Sequence, residues 1–247
     1  DQHLDYIDGP KSFDNMWAAV ESYIAFYPPM TDHLQPYHSD DGKATTEFSF
    51  AIPLDDPNFP RHPVSGDPFV YVGRFDMLGK LYGTTPCVKD DKTTSAAGPS
   101  WPNQWDLRGQ FLGYVWACQR CGIPLDTVVI RGVVIQKTQI RHVEAIKTYP
   151  QYLVDRWYTQ LGHDLHALVR AWNSGYFDYN FGESCTSYGN CMFTSVCQSR
   201  DELTWMQEYT VRRWNPLLRA ELAEPNDPVN APARAGSELK PTTETAQ

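Results

Sequence analysis

Residues 69–95 read FVYVGRFDMLGKLYGTTPCVKDDKTTS, and this stretch decides the fold. The valine and aromatic content of residues 69–78 predicts a strand, and residues 81–92 contain another after a turn near Gly83, so the two form a hairpin. Ahead of them, in residues 45–52, Phe48, Phe50 and Ile52 alternate with Glu47, Ser49 and Ala51, the period of a half-buried strand. Behind them, residues 93–103 carry Gly98, Pro99 and Pro102 and read as a loop, and residues 105–121 read as a helix. Residues 127–136 contain VVIRGVVIQ, the β-branched run of a strand buried on both faces. A meander followed by a helical crossover to a buried strand predicts an α/β domain with a mixed central sheet flanked by helices.

Working outward, Phe13, Met16, Trp17, Val20, Tyr23 and Ile24 recur at spacings of three and four, which predicts a helix over 13–27 ended by Pro28 and Pro29. Residues 55–67, rich in proline and aspartate, are a loop. Residues 149–172 form a long amphipathic helix, and residues 202–222 are read as another. From 223 to 247 proline and small polar residues replace any apolar period, so this segment is expected to be a disordered tail. Residues 1–222 are thus read as a single domain, large enough to bury a core without disulfide staples. No apolar run reaches the roughly 18 residues of a membrane span, and the reading is a soluble, globular protein.

The net charge of −9 argues at first against nucleic acid as a partner. Its distribution reverses that. Residues 1–86 hold 5 basic and 13 acidic side chains, residues 87–147 hold 8 and 5, and residues 148–247 hold 8 and 12. The middle of the chain is basic between acidic flanks, and a bound polyanion responds to the local field. Arg108 and Arg120, flanking or on the helix of that segment, are candidates for phosphate contacts.

Chemistry concentrates in GRFD (73–76), VKDDKTTS (88–95) and QFLGY (110–114). Side chains alternate along a strand, so Asp90 and Lys92 share one face and Asp91 points to the other. If the neighbouring strand sets Asp76 opposite them, two carboxylates and an ammonium meet. Paired hard oxygen ligands suit Mg²⁺ or Mn²⁺, and the ammonium can hold an attacking water and offset charge on a phosphate. Gln110 and Tyr114, four apart, share one helix face toward the same place.

In the order and spacing of these motifs the chain resembles the RecB-type branch of the PD-(D/E)XK nuclease superfamily, including phage-encoded and CRISPR-associated RecB-like exonucleases. The family pattern of a GxxD strand, a (D/E)xK strand and a QxxxY helix is matched by Gly73 and Asp76, by Asp90 and Lys92, and by Gln110 and Tyr114, and the likeness runs from about residue 45 to 197. The resemblance implies a restriction-endonuclease-like core and metal-dependent hydrolysis of DNA, usually from an end, in recombination, repair or phage DNA processing. It implies Asp76 and Asp90 as metal ligands, the Asp91 carbonyl as a further one, Glu47 as a weaker one, and Lys92 as the residue that positions water. The implied partners are DNA and a helicase or recombinase, and the implied setting is the cytoplasm of a bacterial or phage-infected cell. Relatives often carry a metal-binding histidine in the first helix after a glycine. Here Gly9 is followed by Pro10, Lys11, Ser12, Phe13 and Asp14, so either Asp14 replaces it or that ligand is lost.

Cys185, Cys191 and Cys197 lie with five residues between neighbours in a polar, loop-like segment, where soft thiolates suggest zinc or an iron–sulfur cluster. The resemblance implies a [4Fe–4S] cluster held by three such cysteines and a fourth nearer the N-terminus. No cysteine precedes Cys87, so the fourth ligand belongs to an upstream segment, is another residue, or the cluster is absent. Cys118 and Cys121 on the QxxxY helix are read as packing residues, and His163 and His166 as surface or packing residues. Two other readings stand beside the nuclease: a catalytically impaired nuclease fold that binds DNA or another partner, and a secreted acidic carbohydrate-active protein whose cysteines would be oxidised.

Overall fold

The computed structural model describes residues 12–38, 42–179, 182–186, 190–210 and 217. Helix α1 (Phe13–Phe26) starts where the Ser12 side chain accepts the Asn15 N–H, and it stops before Pro28. The strands β1 (Leu34–Pro36), β2 (Thr46–Pro53), β3 (Val70–Leu81) and β4 (Thr85–Thr94) follow, then α2 (Gly109–Arg120), β5 (Thr127–Ile135), β6 (Ile140–Thr148) and α3 (Gln151–Ser174). The sheet order is β1-β3-β4-β5-β6, with β2 also paired to β3. Only β4 and β5 run parallel, from Cys87 opposite Thr127 to Thr94 opposite Val134, so the chain must cross over between them, and α2 makes the crossing.

The fold is therefore mixed α/β, with helices on both faces of one mixed sheet. Nearly all of α2 is buried, from Phe111 to Cys118, because it lies between the sheet and α3. Trp116 stacks on Tyr158 of α3, and Phe111 packs against Trp105. On the other face α1 rests on β5 and β6. Strand β5 is buried along all but its last residue, as its hydrophobic run requires. Cys118 lies fully inside the main core and Cys121 packs at its edge, as packing residues.

Several expectations need correction. The helix expected over 105–121 begins at Gly109, because Trp101–Trp105 forms a separate 3₁₀ turn with Pro102 at its start and both indoles buried, after which Arg108 is extended. Strands β1 and β6 were not foreseen. The first is three residues long, and in β6 Arg141, His142, Glu144 and Lys147 blur the apolar alternation. Of the helix expected over 202–222, the structure describes α5 (Glu202–Met206), preceded by the short α4 (Thr194–Gln198). The segment 223–247 lies outside the described residues.

Candidate active site

Strands β3 and β4 form a regular hairpin up to the pair Met77 and Lys89 and then part: beyond it β3 pairs with β2, and β4 pairs with β5. Asp76 and Asp90 are the first residues past the fork. There β3 also turns over. Residues two apart on a strand normally share a face, yet Phe75 packs in the main core against Phe48 and Tyr114, whereas Met77 belongs to a second cluster with Leu34, Leu81, Cys87 and Val129. The pairing of β2 with β3 skips Glu47 and Asp76, and Glu47 takes a left-handed backbone (φ 52°), a conformation that costs a non-glycine residue about 1–2 kcal/mol. Strain concentrated at one point of a sheet is a pointer to function.

The inversion is packed into place. A Cβ on Gly73 would lie 2.3 Å from the Phe50 ring, so the first residue of the GRFD quartet must be glycine for β2 and β3 to close here. The opened fork leaves the Asp91 backbone N–H without a ladder partner, and Asp76 supplies one: its Oδ2 accepts that N–H at 2.7 Å. The GxxD aspartate is thus fixed to the peptide that follows Asp90.

On the α2 side of β4, Asp90 is 3% exposed and forms an ion pair with Lys92. Gln110 donates to Asp90 Oδ2 (3.2 Å) and to the Tyr114 hydroxyl (2.8 Å), and its Oε1 lies 3.4 Å from Lys92 Nζ. Tyr114 in turn donates to the Arg74 carbonyl at 2.8 Å. The expected residues Asp90, Lys92, Gln110 and Tyr114 are therefore one bonded group, and Asp76 is held beside it by the Asp91 N–H. Burial pushes the Asp90 carboxyl above the usual carboxylate range; Lys92 pulls it down, and the like charges of Asp76 and Asp91 push it further up.

The Asp91 side chain points to the α1 face, as its register requires, but it is not idle there. Tyr23 of α1 donates to its Oδ1 at 2.9 Å and Lys89 pairs with its Oδ2. Next to it lies an ionic network that sequence reasoning missed. Arg131, 2% exposed in the middle of β5, holds Asp32 with two hydrogen bonds (2.6 and 2.7 Å) and Glu144 with one (2.8 Å), and lies 3.6 Å over the Tyr27 ring. His33 completes the group 2.8 Å from Glu144. An arginine inside an otherwise apolar β-branched run was the available signal, since it can only be buried with acidic partners.

Other expected residues are placed apart. Glu47 pairs with Arg74 at 2.8 Å in a largely exposed position and does not join Asp90. Arg108 is exposed just before α2, beside Gln110, while Arg120 stands at the far end of that helix, roughly 18 Å away at 1.5 Å per residue, over the Trp116 ring. Asp14 is exposed in the first turn of α1. His163 and His166 flank a surface cavity of about 420 Å³ with Asp56 and Asn58, and His166 lies 3.0 Å from the Asn58 carbonyl. None of the six cysteines is in a disulfide; the Cys191 N–H donates to the Cys185 carbonyl, and Cys197 is exposed on α4.

Among the described residues no three His, Cys, Asp or Glu side chains stand together as a metal cage, which holds for the cysteines as well. For Mg²⁺ or Mn²⁺ the donor chemistry does fit, because these ions keep several waters and commonly take only one or two protein carboxylates alongside substrate phosphate. Asp76 and Asp90 are hard oxygen donors at one fork, Asp90 buried with Lys92 beside it and Asp76 held to the neighbouring peptide.

No protein-family model and no curated protein matches the chain. Among solved structures, the crystal structure of SSO0001 is similar at a TM-score of 0.37 and 14% identity, over 75% of this chain and 68% of that one. A likeness this low carries no argument. No helix among the described residues is long and apolar enough to cross a membrane.

Proposed function

We propose that the protein is a PD-(D/E)XK-type deoxyribonuclease that hydrolyses phosphodiester bonds of DNA with Mg²⁺ or Mn²⁺, acting from an end in recombination, repair or phage DNA processing, in the cytoplasm. The observation that carries this reading is the chain Lys92–Asp90–Gln110–Tyr114, joined on one face of β4 and α2 and set at the fork where Asp76 faces β4. A surface ion pair would not need a glutamine and a tyrosine to hold it.

Asp76 and Asp90 would hold the ion, which would supply positive charge to the phosphate and so favour attack at phosphorus. Lys92, anchored by Asp90, orients the attacking water and offsets charge as it builds on the phosphate. The water oxygen forms the new P–O bond and gives a proton to solvent, the bond to the departing sugar oxygen breaks, and that oxygen takes up a proton from solvent. Gln110 and Tyr114 lock Asp90 and tie α2 to the Arg74 carbonyl on β3, so the two strands of the fork keep their spacing. The [4Fe–4S] cluster on Cys185, Cys191 and Cys197 rests on the family resemblance alone, and no step runs through it.

The test is cleavage of linear DNA by the metal-loaded full chain. The wild type should degrade it with Mg²⁺ or Mn²⁺ and stop with a chelator, and Asp76→Ala, Asp90→Ala or Lys92→Ala should each lose roughly 10³-fold or more in rate while remaining folded. A folded wild type that binds DNA and never cuts it would instead make this a binding module on a nuclease-like frame.

A further inference from the structure

At the fork Asp91 is held in two directions, by its backbone toward β3 and by its side chain on the α1 face. Its backbone N–H is given to Asp76 at 2.7 Å on the side of the proposed centre, while its carboxylate is gripped from the other side by the Tyr23 hydroxyl of α1 at 2.9 Å and by Lys89. The grip is strong. Tyr23 is a neutral donor, its hydroxyl pushed above the usual range by burial and by the Asp91 charge. Lys89 holds its proton more firmly than usual because Asp91 more than offsets the cost of burying it. None of these groups can reach a substrate on the α2 side. The β4–β5 ladder holds this strand from one side; on the other, where the β3–β4 ladder has stopped, the bond from the Asp91 N–H to Asp76 is the link to β3, and the grip on the Asp91 carboxylate bears on it from the α1 face.

We propose that Tyr23 and Lys89 are positioning residues of the hydrolytic centre, setting the Asp76 carboxylate from the opposite face of the sheet through the Asp91 side chain and peptide. The inference rests on the proposed function, since it assigns a device to that same site. It predicts that a hydroxyl on α1 that touches neither metal nor DNA nonetheless tunes metal affinity, as partners that orient metal ligands commonly do by about 10-fold or more. It also predicts that the effect travels only through the Asp91 carboxylate, so removing that carboxylate makes Tyr23 irrelevant.

The test is Mn²⁺ binding, by calorimetry on metal-free full-length protein without DNA, for the wild type, Tyr23→Phe, Asp91→Ala and the double variant. Ser22→Ala serves as the control: Ser22 is on the same helix and loses a bond of similar length, 2.8 Å to His142, but does not face Asp91. Tyr23→Phe keeps the ring contacts with Tyr27 and His142 and should fold. It should weaken Mn²⁺ binding by roughly 10-fold, Ser22→Ala should leave it unchanged, and the double variant should bind no worse than Asp91→Ala alone. Wild-type affinity in Tyr23→Phe, an equal loss in Ser22→Ala, or additive losses in the double variant would overturn the positioning role while leaving the hydrolytic centre in place. Absence of Mn²⁺ binding in the wild type would overturn the centre itself and this inference with it.

Discussion

The two faces of the sheet both bury charge but settle it differently. On the α1 side, Asp32 and Glu144 share the enclosed guanidinium of Arg131; although burial works against its charge, Asp32 ends below the usual carboxylate range because Arg131 more than compensates. On the α2 side, burial pushes Asp90 above that range; Lys92 is the cation paired with it, and the charges of Asp76 and Asp91 push it further up. The first arrangement is complete without anything from outside. The second is short of positive charge, which is a poor design for stability and a suitable one for a site that receives a cation and a polyanion.

The largest effect that would break this contrast is on the complete side. Arg131→Met leaves Asp32 and Glu144 without their shared cation, and urea unfolding should report a loss of about 3–5 kcal/mol at neutral pH. The pH dependence follows in sign. The Asp32 contribution is present above the ordinary carboxylate value and fades as pH falls through its depressed one, so Arg131→Met should cost less in acid than at pH 7. An equal loss at both would show that packing over Tyr27, and not charge, is what Arg131 contributes.

A smaller effect sharpens the other side. Arg108 stands next to Gln110 and Arg120 at the far end of α2, so only the first is placed to meet DNA lying across the fork. Arg108→Glu should weaken binding of every DNA sequence and lower the salt slope of the affinity by about 1, and Arg120→Glu should leave the slope unchanged. The reverse result would move the DNA path to the α3 end of the helix.

Much of this was legible in sequence because strand alternation is a local rule. It put Asp90 with Lys92 and sent Asp91 the other way, and helix spacing put Gln110 with Tyr114. Long-range facts were not legible in the same way. Nothing local announces that β3 inverts at Asp76, because the cause is the skipped pairing with Glu47 on another strand. Nor does Asp32 announce a partner 99 residues away in Arg131. Strand β6 hid for a related reason: its Glu144 reads as a solvated position until Arg131 is set opposite it.

The most direct measurement of the central claim is Asp90→Asn, followed for stability and cleavage together. The Asp90 carboxyl is raised, so the folded protein holds its proton more tightly than the unfolded chain does. Its contribution is therefore greatest below the ordinary carboxylate value and is lost as pH rises through the raised one. In metal-free protein at neutral pH the neutral amide should therefore leave the melting temperature equal or higher, while Mn²⁺-dependent DNA cleavage falls by roughly 10³-fold. A variant that melts well below the wild type and still cuts DNA would contradict the account, because Asp90 would then be a structural ion-pair partner of Lys92 and no part of a hydrolytic centre.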